Sequence, residues 1–360
     1  MNCNPPLPPQ RLTWLRWGCT TALGLSMWCA GAALAFDVQG HRGARGLAPE
    51  NTLAGIERAL TIGVSTIEID ILLSADGVPV VYHDTTLNPD LTRDSSGRWL
   101  QARGPALNTL TAAQLAGFDV GRINPASQLA RDFALQQASD GERIPTLAAV
   151  FEHVKRLKAD HVRFNIELKR NPSRPQESTE PEAFVRAVLD VVNAHGMARR
   201  SNLQSFDWSL NAATRRQAPD MALAFLTIQR PRSNNLESGE WTAGLRISQH
   251  RDAPAMVAAA GGKVWSPNFN DLSQTVVQRA REESLRVIPW TVNETPDMAR
   301  LIDWGVDGII TDYPDRLRAV MQERGMALPP ALAAAPAKAR LTQPAPTAEP
   351  VRFGVAPDVR

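Results

Sequence analysis

Short runs of β-branched and other apolar residues alternate along the chain with longer stretches in which apolar residues recur every three or four positions. The first pattern is typical of buried strands, and the second is typical of helices with one buried face. Repeated units of strand followed by helix predict a parallel sheet covered by helices, and about eight such units can close into a barrel. The pattern therefore predicts an α/β fold, specifically a (β/α)8 barrel.

The individual elements follow from the same two patterns. The predicted strands are Val38–Gly43, Thr66–Leu73, Val78–His83, Arg163–Lys169, Asn202–Phe206, Ala222–Thr227, Val264–Asn268, Arg286–Val292 and Gly308–Asp312. The clearest predicted helices are Leu53–Ile62, Thr146–Leu157, Glu182–His195, Leu272–Glu283 and Pro296–Trp304. Residues 85–142 break the alternation because they are polar and rich in turn residues. We expect this stretch to be an insertion that follows the second barrel strand and its hairpin.

Both ends of the chain differ in composition from the body. Arg11 and Arg16 precede an apolar run that ends in Ala33-Leu34-Ala35, the small-x-small cleavage pattern of a secretory signal peptide. Residues 323–360 are rich in alanine and proline, a composition that predicts a disordered tail. The expected division is a signal peptide over residues 1–35, a barrel domain over 36–322 and a tail over 323–360.

The predicted signal peptide determines the cysteine content and the charge of the mature chain. All three cysteines, Cys3, Cys19 and Cys29, lie within it, so no disulfide is expected after cleavage. Loss of Arg11 and Arg16 reduces Lys+Arg from 39 to 37, equal to the 37 Asp+Glu, and a neutral chain is a poor partner for nucleic acid. The apolar run is also too short for a stable membrane span. We expect a periplasmic or secreted protein; the alternative is a lipoprotein, although neither Cys19 nor Cys29 follows the required Leu-x-small pattern.

Acidic residues occupy alternate positions of two predicted strands. Glu68 and Asp70 lie on one face of the strand at residues 66–73, while isoleucines lie on the other face. Glu167 and Lys169 repeat this arrangement on another strand. The chemistry of a (β/α)8 barrel takes place at the C-terminal ends of its strands. We therefore expect these charged side chains to meet at that mouth.

Two interpretations of the acidic residues are open. Converging carboxylates repel each other unless a cation lies between them, and three of them with added water form an all-oxygen site for one divalent cation, Ca²⁺ or Mg²⁺. The alternative is a buried structural network in which Glu68 and Glu167 pair with Lys169 and arginines. The occurrence of the pattern on two strands favours the metal site. Zinc is disfavoured because the six histidines show no tight ligand spacing.

Two of the histidines end predicted strands beside this acidic mouth. His41 is followed by Arg42, and His83 is followed by Asp84. A pair of histidines at neighbouring strand ends can supply one general acid and one general base. Arg42 and Lys169 can then bind an anion, for which phosphate is the best candidate. We expect the other four histidines to be ordinary core or surface residues.

Five motifs, taken in order, carry a resemblance to a known family. They are HRGARGLAPENT (residues 41–52), EIDILLSADGVPVVYHD (68–84), NIELK (165–169), WTVN (290–293) and GIITDYPDRL (308–317). Together they resemble the glycerophosphodiester phosphodiesterase family over about residues 38–318. The resemblance implies a TIM barrel with an insertion after the strand that ends in the second histidine, in agreement with the strand pattern.

The resemblance also implies which residues carry out the chemistry. Glu68, Asp70 and Glu167 would hold the divalent cation, and His41 and His83 would be the acid and the base. The implied reaction is hydrolysis of a small-molecule glycerophosphodiester to sn-glycerol 3-phosphate and an alcohol such as choline or ethanolamine.

The substrate contacts follow from the same resemblance. Arg42 and Lys169 would bind the phosphate, and Trp290 would line the glycerol pocket. Glu50 and Asn51 match the Pro-Glu-Asn-Thr element of the family, although Asn51 or the threonine after it can also simply cap the following helix.

Two other functions remain open at this point. A phospholipase-D-like enzyme acting on lysophospholipids or sphingolipids would use a similar barrel but would need an apolar surface for the acyl chain. A non-catalytic phosphodiester-binding protein is the second alternative, and the presence of every acid/base and metal residue argues against it. No feature of the sequence specifies an oligomeric state.

Overall fold

The computed structural model describes Met1 and residues 35–333 of the 360-residue chain. The predicted signal peptide, with its three cysteines, and most of the predicted tail lie outside the described residues. Within the described part, no helix combines the length and the apolar character needed to cross a bilayer.

The described residues contain both predicted types of element in alternation. The strands are β1 Asp37–Gly40, β2 Thr66–Leu73, β3 Pro79–Val81, β4 Arg163–Leu168, β5 Ser201–Ser205, β6 Ala222–Thr227, β7 Gln229–Arg230, β8 Ser233–Asn234, β9 Val264–Pro267, β10 Arg286–Val287 and β11 Gly308–Thr311. The α-helices are α1 Leu53–Ile62, α2 Ala112–Leu115, α3 Gln128–Asp132, α4 Leu147–Arg156, α5 Pro181–Ala194, α6 Trp208–Gln217, α7 Ala253–Ala259, α8 Gln274–Glu282, α9 Thr295–Trp304 and α10 Pro314–Glu323.

Eight of these strands form a parallel barrel in the order β10-β9-β6-β5-β4-β2-β1-β11. Backbone hydrogen bonds from Asp307 N to Val287 O (2.8 Å) and from Ile310 N to Pro289 O (3.0 Å) join the two ends of this series. The predicted (β/α)8 barrel is confirmed. Because the eight strands are parallel, their C-terminal ends lie at one mouth of the barrel.

The main hydrophobic core lies between the barrel and the helices around it. Ile67, Ile69 and Ile71 of β2 are fully buried in this core, together with residues such as Phe151 of α4 and Phe164 of β4. The intervening residues of β2 are therefore directed to the inside of the barrel. This alternation is the one that the sequence predicts, and it brings polar side chains to the barrel interior.

Two predicted strands end earlier than their apolar pattern suggests. β1 ends at Gly40 rather than at Gly43, because Arg42 and Gly43 have φ angles of 50° and 87° that a strand does not contain. β10 contains only Arg286–Val287, although Ile288 N and Trp290 N still donate to Trp265 O and Pro267 O at 3.0 Å. The chain thus stays hydrogen-bonded to β9 beyond the assigned end of β10.

β3 is a hairpin strand rather than a barrel strand. It pairs antiparallel with the end of β2, where Val81 lies opposite Ile71, so the chain folds back toward the barrel mouth. Tyr82 N then donates to Asp70 O at 3.0 Å. This return path agrees with the hairpin expected after the second barrel strand, and it brings His83 beside the acidic face of β2.

The stretch that follows β3 has a small core of its own. Leu87, Leu107, Leu115 and Phe118 are buried in a cluster separate from the main core. Tyr82, at the end of the hairpin, belongs to the same cluster. The stretch at residues 85–142 is thus an insertion that packs on the hairpin, in agreement with the pattern of turn residues.

The folded part of the chain extends beyond the expected domain boundary at residue 322. α10 ends at Glu323, and Met326, Leu328 and Leu332 still pack against the main core. Leu332 N donates to Leu60 O at 3.0 Å. These three side chains bury apolar surface, which stabilises this segment on the barrel. Residues 326–332 therefore pack on the barrel, although they fall within the expected tail. The rest of the tail is rich in alanine and proline and has few large apolar side chains to bury.

Removal of residues 324–360 should destabilise the barrel, whereas removal of residues 334–360 should leave its stability unchanged. The larger truncation loses three partly buried side chains, worth together about 2–4 kcal/mol of unfolding free energy. Urea-induced unfolding of both truncated proteins and the full chain measures the difference. Equal stability of the two truncated proteins would show that residues 324–333 contribute nothing to the fold.

Candidate active site

Three carboxylates converge inside the barrel mouth. Asp70 on β2 pairs in register with Glu167 on β4, and Glu68 lies two residues before Asp70 on the same face of β2. One oxygen from each of the three side chains lies within 4.8 Å of the others. The exposed fractions of Glu68, Asp70 and Glu167 are 1%, 0% and 7%. The structure thus brings together the three acidic residues that the sequence singles out.

Two basic residues lie among these carboxylates. Lys169 Nζ is 2.7 Å from Glu167 Oε1 and 3.7 Å from Asp70 Oδ1. Arg42 Nε is 3.3 Å from Asp70 Oδ2, and Arg42 N donates to Glu68 Oε2 at 2.9 Å. The ion-pair network that the sequence offered as an alternative is therefore present in the same place as the candidate metal site.

The network compensates the carboxylates only in part. Asp70 Oδ1 is buried and accepts no hydrogen bond from the described residues. Burial raises the pKa of Glu68 well above its ordinary value, and repulsion from Asp70 and Glu167 adds to this effect. Burial also raises the pKa of Glu167, although Lys169 opposes the change. An all-oxygen donor set with unsatisfied negative charge fits a hard divalent cation.

His41, directly after β1, has one ring nitrogen fixed by a carboxylate. Its Nδ1 is 2.6 Å from Asp312 Oδ1, and Asp312 Oδ2 accepts a hydrogen bond of 2.7 Å from Asn293 Nδ2. Burial would raise the pKa of Asp312, but His41 and these hydrogen bonds lower it to about 2. Ionised Asp312 holds the proton on Nδ1, which leaves Nε2 for chemistry. That Nε2 lies 4.0 Å from Glu68 Oε2.

His83 has the same arrangement on the hairpin. Its Nδ1 is 2.6 Å from Asp84 Oδ1, and Asp84 Oδ2 accepts a hydrogen bond of 2.8 Å from Asn88 Nδ2. Burial, with the nearby charges of Arg42 and Lys169, lowers the pKa of His83 to about 4. The ring is therefore neutral at pH 7 and able to accept a proton on Nε2.

The loop after β1 holds Arg42 in an uncommon conformation. Arg42 and Asn51 have φ angles of 50° and 55°, which non-glycine residues adopt mainly where the surroundings enforce them. Glu50 Oε1 accepts from Arg42 Nη1 at 2.7 Å, and Glu50 Oε2 accepts from Arg45 Nε at 2.6 Å. Arg42 Nη2 has no hydrogen-bond partner within the described part of the chain. It is therefore available to an anion in the barrel mouth.

The Pro-Glu-Asn-Thr element serves both the site and the helix that follows. Asn51 Nδ2 donates to Asp70 Oδ2 at 2.9 Å. Thr52, and not Asn51, caps α1 by accepting a hydrogen bond of 3.0 Å from Gly55 N. One short motif thus orients a metal-site carboxylate and starts a helix.

A cavity of about 510 Å³, here named the aromatic cavity, opens beside Lys169. Its walls include Glu167, Lys169, Phe206, Trp241 and Trp290. Trp290 lies edge-on to Phe206 with ring centroids 5.2 Å apart, and Trp290 Nε1 donates to Ser266 O at 2.9 Å. The ring of Trp290 is thus fixed in the wall of a cavity next to the phosphate-binding candidate Lys169.

A second cavity of about 460 Å³, here named the His83 cavity, opens on the side of the insertion. His83 lines it, and Thr85 lines both cavities. The two cavities therefore lie on either side of Thr85, next to His83 and Lys169. The four histidines expected to be ordinary residues line neither cavity.

Three site residues could not be assigned a role from the sequence. Asp312 contacts His41 across 271 positions of the chain, although it and Asn293 both lie in quoted motifs. Gln204 Nε2 donates to Glu68 Oε1 at 3.1 Å, and Gln204 belongs to none of the five motifs. Only the closed barrel shows that these polar residues share one interior.

Comparison with known proteins agrees with this geometry. The model of the glycerophosphoryl diester phosphodiesterase family matches residues 41–316. A glycerophosphodiester phosphodiesterase from Caldanaerobacter subterraneus subsp. tengcongensis is 27% identical over 285 residues, which cover 79% of this chain and 97% of that protein. A Bacillus subtilis (strain 168) glycerophosphodiester phosphodiesterase is 27% identical over 281 residues, covering 78% and 84%.

Solved structures show the same fold. The crystal structure of a Silicibacter pomeroyi DSS-3 protein has a TM-score of 0.73 at 35% identity and covers 82% of this chain and 95% of that one. An Oleispira antarctica phosphodiesterase in complex with sn-glycerol-3-phosphate has a TM-score of 0.58 at 22% identity, covering 79% and 96%. The chain belongs to the glycerophosphoryl diester phosphodiesterase family, a family of hydrolases.

Proposed function

We propose that this protein is a divalent-cation-dependent enzyme that hydrolyses deacylated glycerophosphodiesters to sn-glycerol 3-phosphate and an alcohol. The observation that carries the proposal is the pair of histidines beside the buried carboxylates. His41 and His83 each have Nδ1 held at 2.6 Å by a carboxylate, so both Nε2 atoms are left for acid/base chemistry.

The phosphate would be bound by the cation and by two basic side chains. Glu68, Asp70 and Glu167 would hold Ca²⁺ or Mg²⁺, which when bound stabilises negative charge on the phosphate oxygens. Arg42 would donate from the unpartnered Nη2. Lys169 Nζ, now 2.7 Å from Glu167, would donate to a phosphate oxygen when Glu167 serves the cation.

The histidines would move the protons of the reaction. One Nε2 removes the proton of the nucleophile, which is either water or the glycerol 2-hydroxyl through a cyclic phosphate. The other Nε2 donates a proton to the headgroup oxygen as its bond to phosphorus breaks. Asp312 and Asp84 would stabilise the positive charge on each ring while it carries the extra proton.

The surface favours a deacylated substrate over a lysophospholipid or sphingolipid. Among the described residues, the exposed large apolar side chains are those of Met1 and Leu135, and neither lines one of the two cavities. An acyl chain leaving either cavity would therefore meet a polar surface. The paired carboxylate–histidine arrangements likewise favour an enzyme over a protein that only binds phosphodiesters.

We further infer that the enzyme acts outside the cytoplasm, in the periplasm or after secretion. The support is the sequence of residues 1–35, where two arginines precede an apolar run and an Ala-Leu-Ala cleavage pattern. Headgroup diesters released from phospholipids would be natural substrates in that location.

His41→Ala and His83→Ala should each lower kcat by about 10²–10⁴-fold, because each removes one proton-transfer group. His161→Ala is the matched control, since His161 is exposed and lines neither cavity. Turnover of glycerophosphoglycerol, measured with coupled detection of sn-glycerol 3-phosphate, provides the readout. A variant at position 41 or 83 with the turnover of the control would exclude that histidine from the reaction.

Asp312→Asn should lower kcat by about 10²–10⁴-fold with little change in KM, because an amide no longer fixes the proton on His41 Nδ1. Asp312 lines neither cavity, so we expect it not to contact the substrate directly. A role in substrate binding alone would instead raise KM and leave kcat unchanged. Asp315→Asn, at an exposed position three residues away, is the control. An unchanged kcat in Asp312→Asn would refute the positioning role.

Chelation should abolish turnover, and Ca²⁺ or Mg²⁺ should restore it, with Ca²⁺ slightly preferred because its larger shell accommodates carboxylates and water flexibly. Glu68→Gln should not be reactivated, whereas the exposed control Glu240→Gln should behave as the unmodified protein. Full turnover in excess chelator, with no metal detected by elemental analysis, would contradict the proposed metal site.

The cation-free protein offers a second readout of the same carboxylate. Because the folded-state pKa of Glu68 is raised, the folded chain binds this proton more tightly than the unfolded chain, and its stability falls as pH rises through that pKa. Glu68→Gln has no ionisable side chain at this position, so its stability does not fall in this way. Urea unfolding in chelator should therefore show the variant to be more stable, by an amount that grows with pH. A difference that shrinks with rising pH would contradict the raised pKa.

A further inference from the structure

The His83 cavity has a polar wall formed by the end of the hairpin and by the insertion, and Glu177 of the loop after β4 binds this wall. Arg103 lines this cavity, and its Nε donates to Thr86 Oγ1 at 2.5 Å while its Nη2 donates to Glu177 Oε2 at 3.3 Å. Glu177 Oε2 also accepts from Thr85 Oγ1 at 2.6 Å. These bonds hold the guanidinium at the cavity wall. Arg103 Nη1 has no hydrogen-bond partner in the described part of the chain and remains able to donate.

The chemistry of this cavity suits hydroxyl groups better than an ammonium group. Apart from the ring of His83, its lining contains no aromatic side chain, and Pro89 is its main apolar residue. Quaternary ammonium groups are recognised by aromatic faces, which are missing here. Asp84 is the acidic residue of the lining, but its two oxygens already bind His83 and Asn88. A quaternary ammonium headgroup would therefore find no aromatic face, and a carboxylate already engaged by two partners.

The aromatic cavity is no better suited to a cationic headgroup if the substrate binds in the opposite orientation. The aromatic cavity does contain three rings, but Lys169 Nζ lies 5.9 Å from the ring centroid of Phe206. Arg170 and Arg232 line the same cavity, and its acidic residue, Glu167, already binds Lys169. The ion pairs Arg103–Glu177, Lys169–Glu167 and Arg170–Asp207 thus leave the nearby carboxylates already engaged with the chain's own cations.

We propose that this enzyme selects glycerophosphodiesters with an uncharged polyol headgroup over those with an ammonium headgroup, and that Arg103 is a specificity-determining residue. The inference rests on the proposed function and deepens it by naming the substrate class. With the glycerol arm against Trp290, the headgroup occupies the His83 cavity. Its hydroxyls accept hydrogen bonds from Arg103, whereas a choline group cannot accept these bonds and finds no aromatic face in the lining.

The test compares kcat/KM for glycerophosphoinositol, glycerophosphoglycerol and glycerophosphocholine, each supplied with the cation. The unmodified enzyme should favour both polyol diesters over glycerophosphocholine by about tenfold or more, as expected for lost hydrogen bonds at a partly exposed site. Arg103→Gln should reduce this preference by about 3- to 10-fold. Arg103→Lys keeps a charged donor but loses the planar fork, so it should retain only part of the preference and turn over the polyol diesters more slowly.

Arg98→Gln is the matched control, because Arg98 is an exposed arginine of the same insertion that pairs with Asp94 and lines neither cavity. Its substrate preference should equal that of the unmodified enzyme. A preference for glycerophosphocholine, or an unchanged preference in Arg103→Gln, would overturn the specificity assignment while leaving the phosphodiesterase function intact. Absence of turnover for all three diesters would instead overturn the proposed function, and the specificity assignment with it.

Discussion

Glu68, Asp70 and Glu167 hold three carboxylate oxygens within 4.8 Å of one another inside a barrel that excludes most water, and this concentration of buried charge requires compensation. Lys169 and Arg42 supply part of it. The two basic residues are also the ones suited to bind phosphate. The same charges thus account for the ion pairs in the cation-free chain and for the capacity to receive a cation and an anionic substrate together.

The proposed acid/base pair depends on how the chain enters this mouth from two directions. His41 arrives at the end of a barrel strand, where Asp312 from the last strand fixes its ring. His83 arrives from an antiparallel hairpin, and the adjacent Asp84 fixes its ring. The hairpin also begins the insertion that forms the polar wall of the His83 cavity. The proposed catalysis and the proposed headgroup selection would therefore be linked through one departure from the regular barrel.

The sequence predicts the barrel and much of the site because alternation along a strand is a local property. The pattern at residues 66–73 correctly separates the isoleucines of the core from Glu68 and Asp70. Roles that depend on the closed barrel are not local. Asp312 reaches His41 across 271 positions, and Gln204 reaches Glu68 from a strand with no distinctive motif. The early end of β1 follows from the positive φ angles of Arg42 and Gly43, which the apolar pattern does not show.

The central claim is that the three buried carboxylates form one site for a divalent cation. Isothermal titration calorimetry of Ca²⁺ into chelator-stripped protein tests it most directly, with Asp70→Asn as the ligand variant and the exposed Glu240→Gln as the control. The account predicts one bound cation per chain in the unmodified protein and in the control, and none in Asp70→Asn. Binding that survives in Asp70→Asn, or no binding of Ca²⁺ or Mg²⁺ to the unmodified protein, would contradict it.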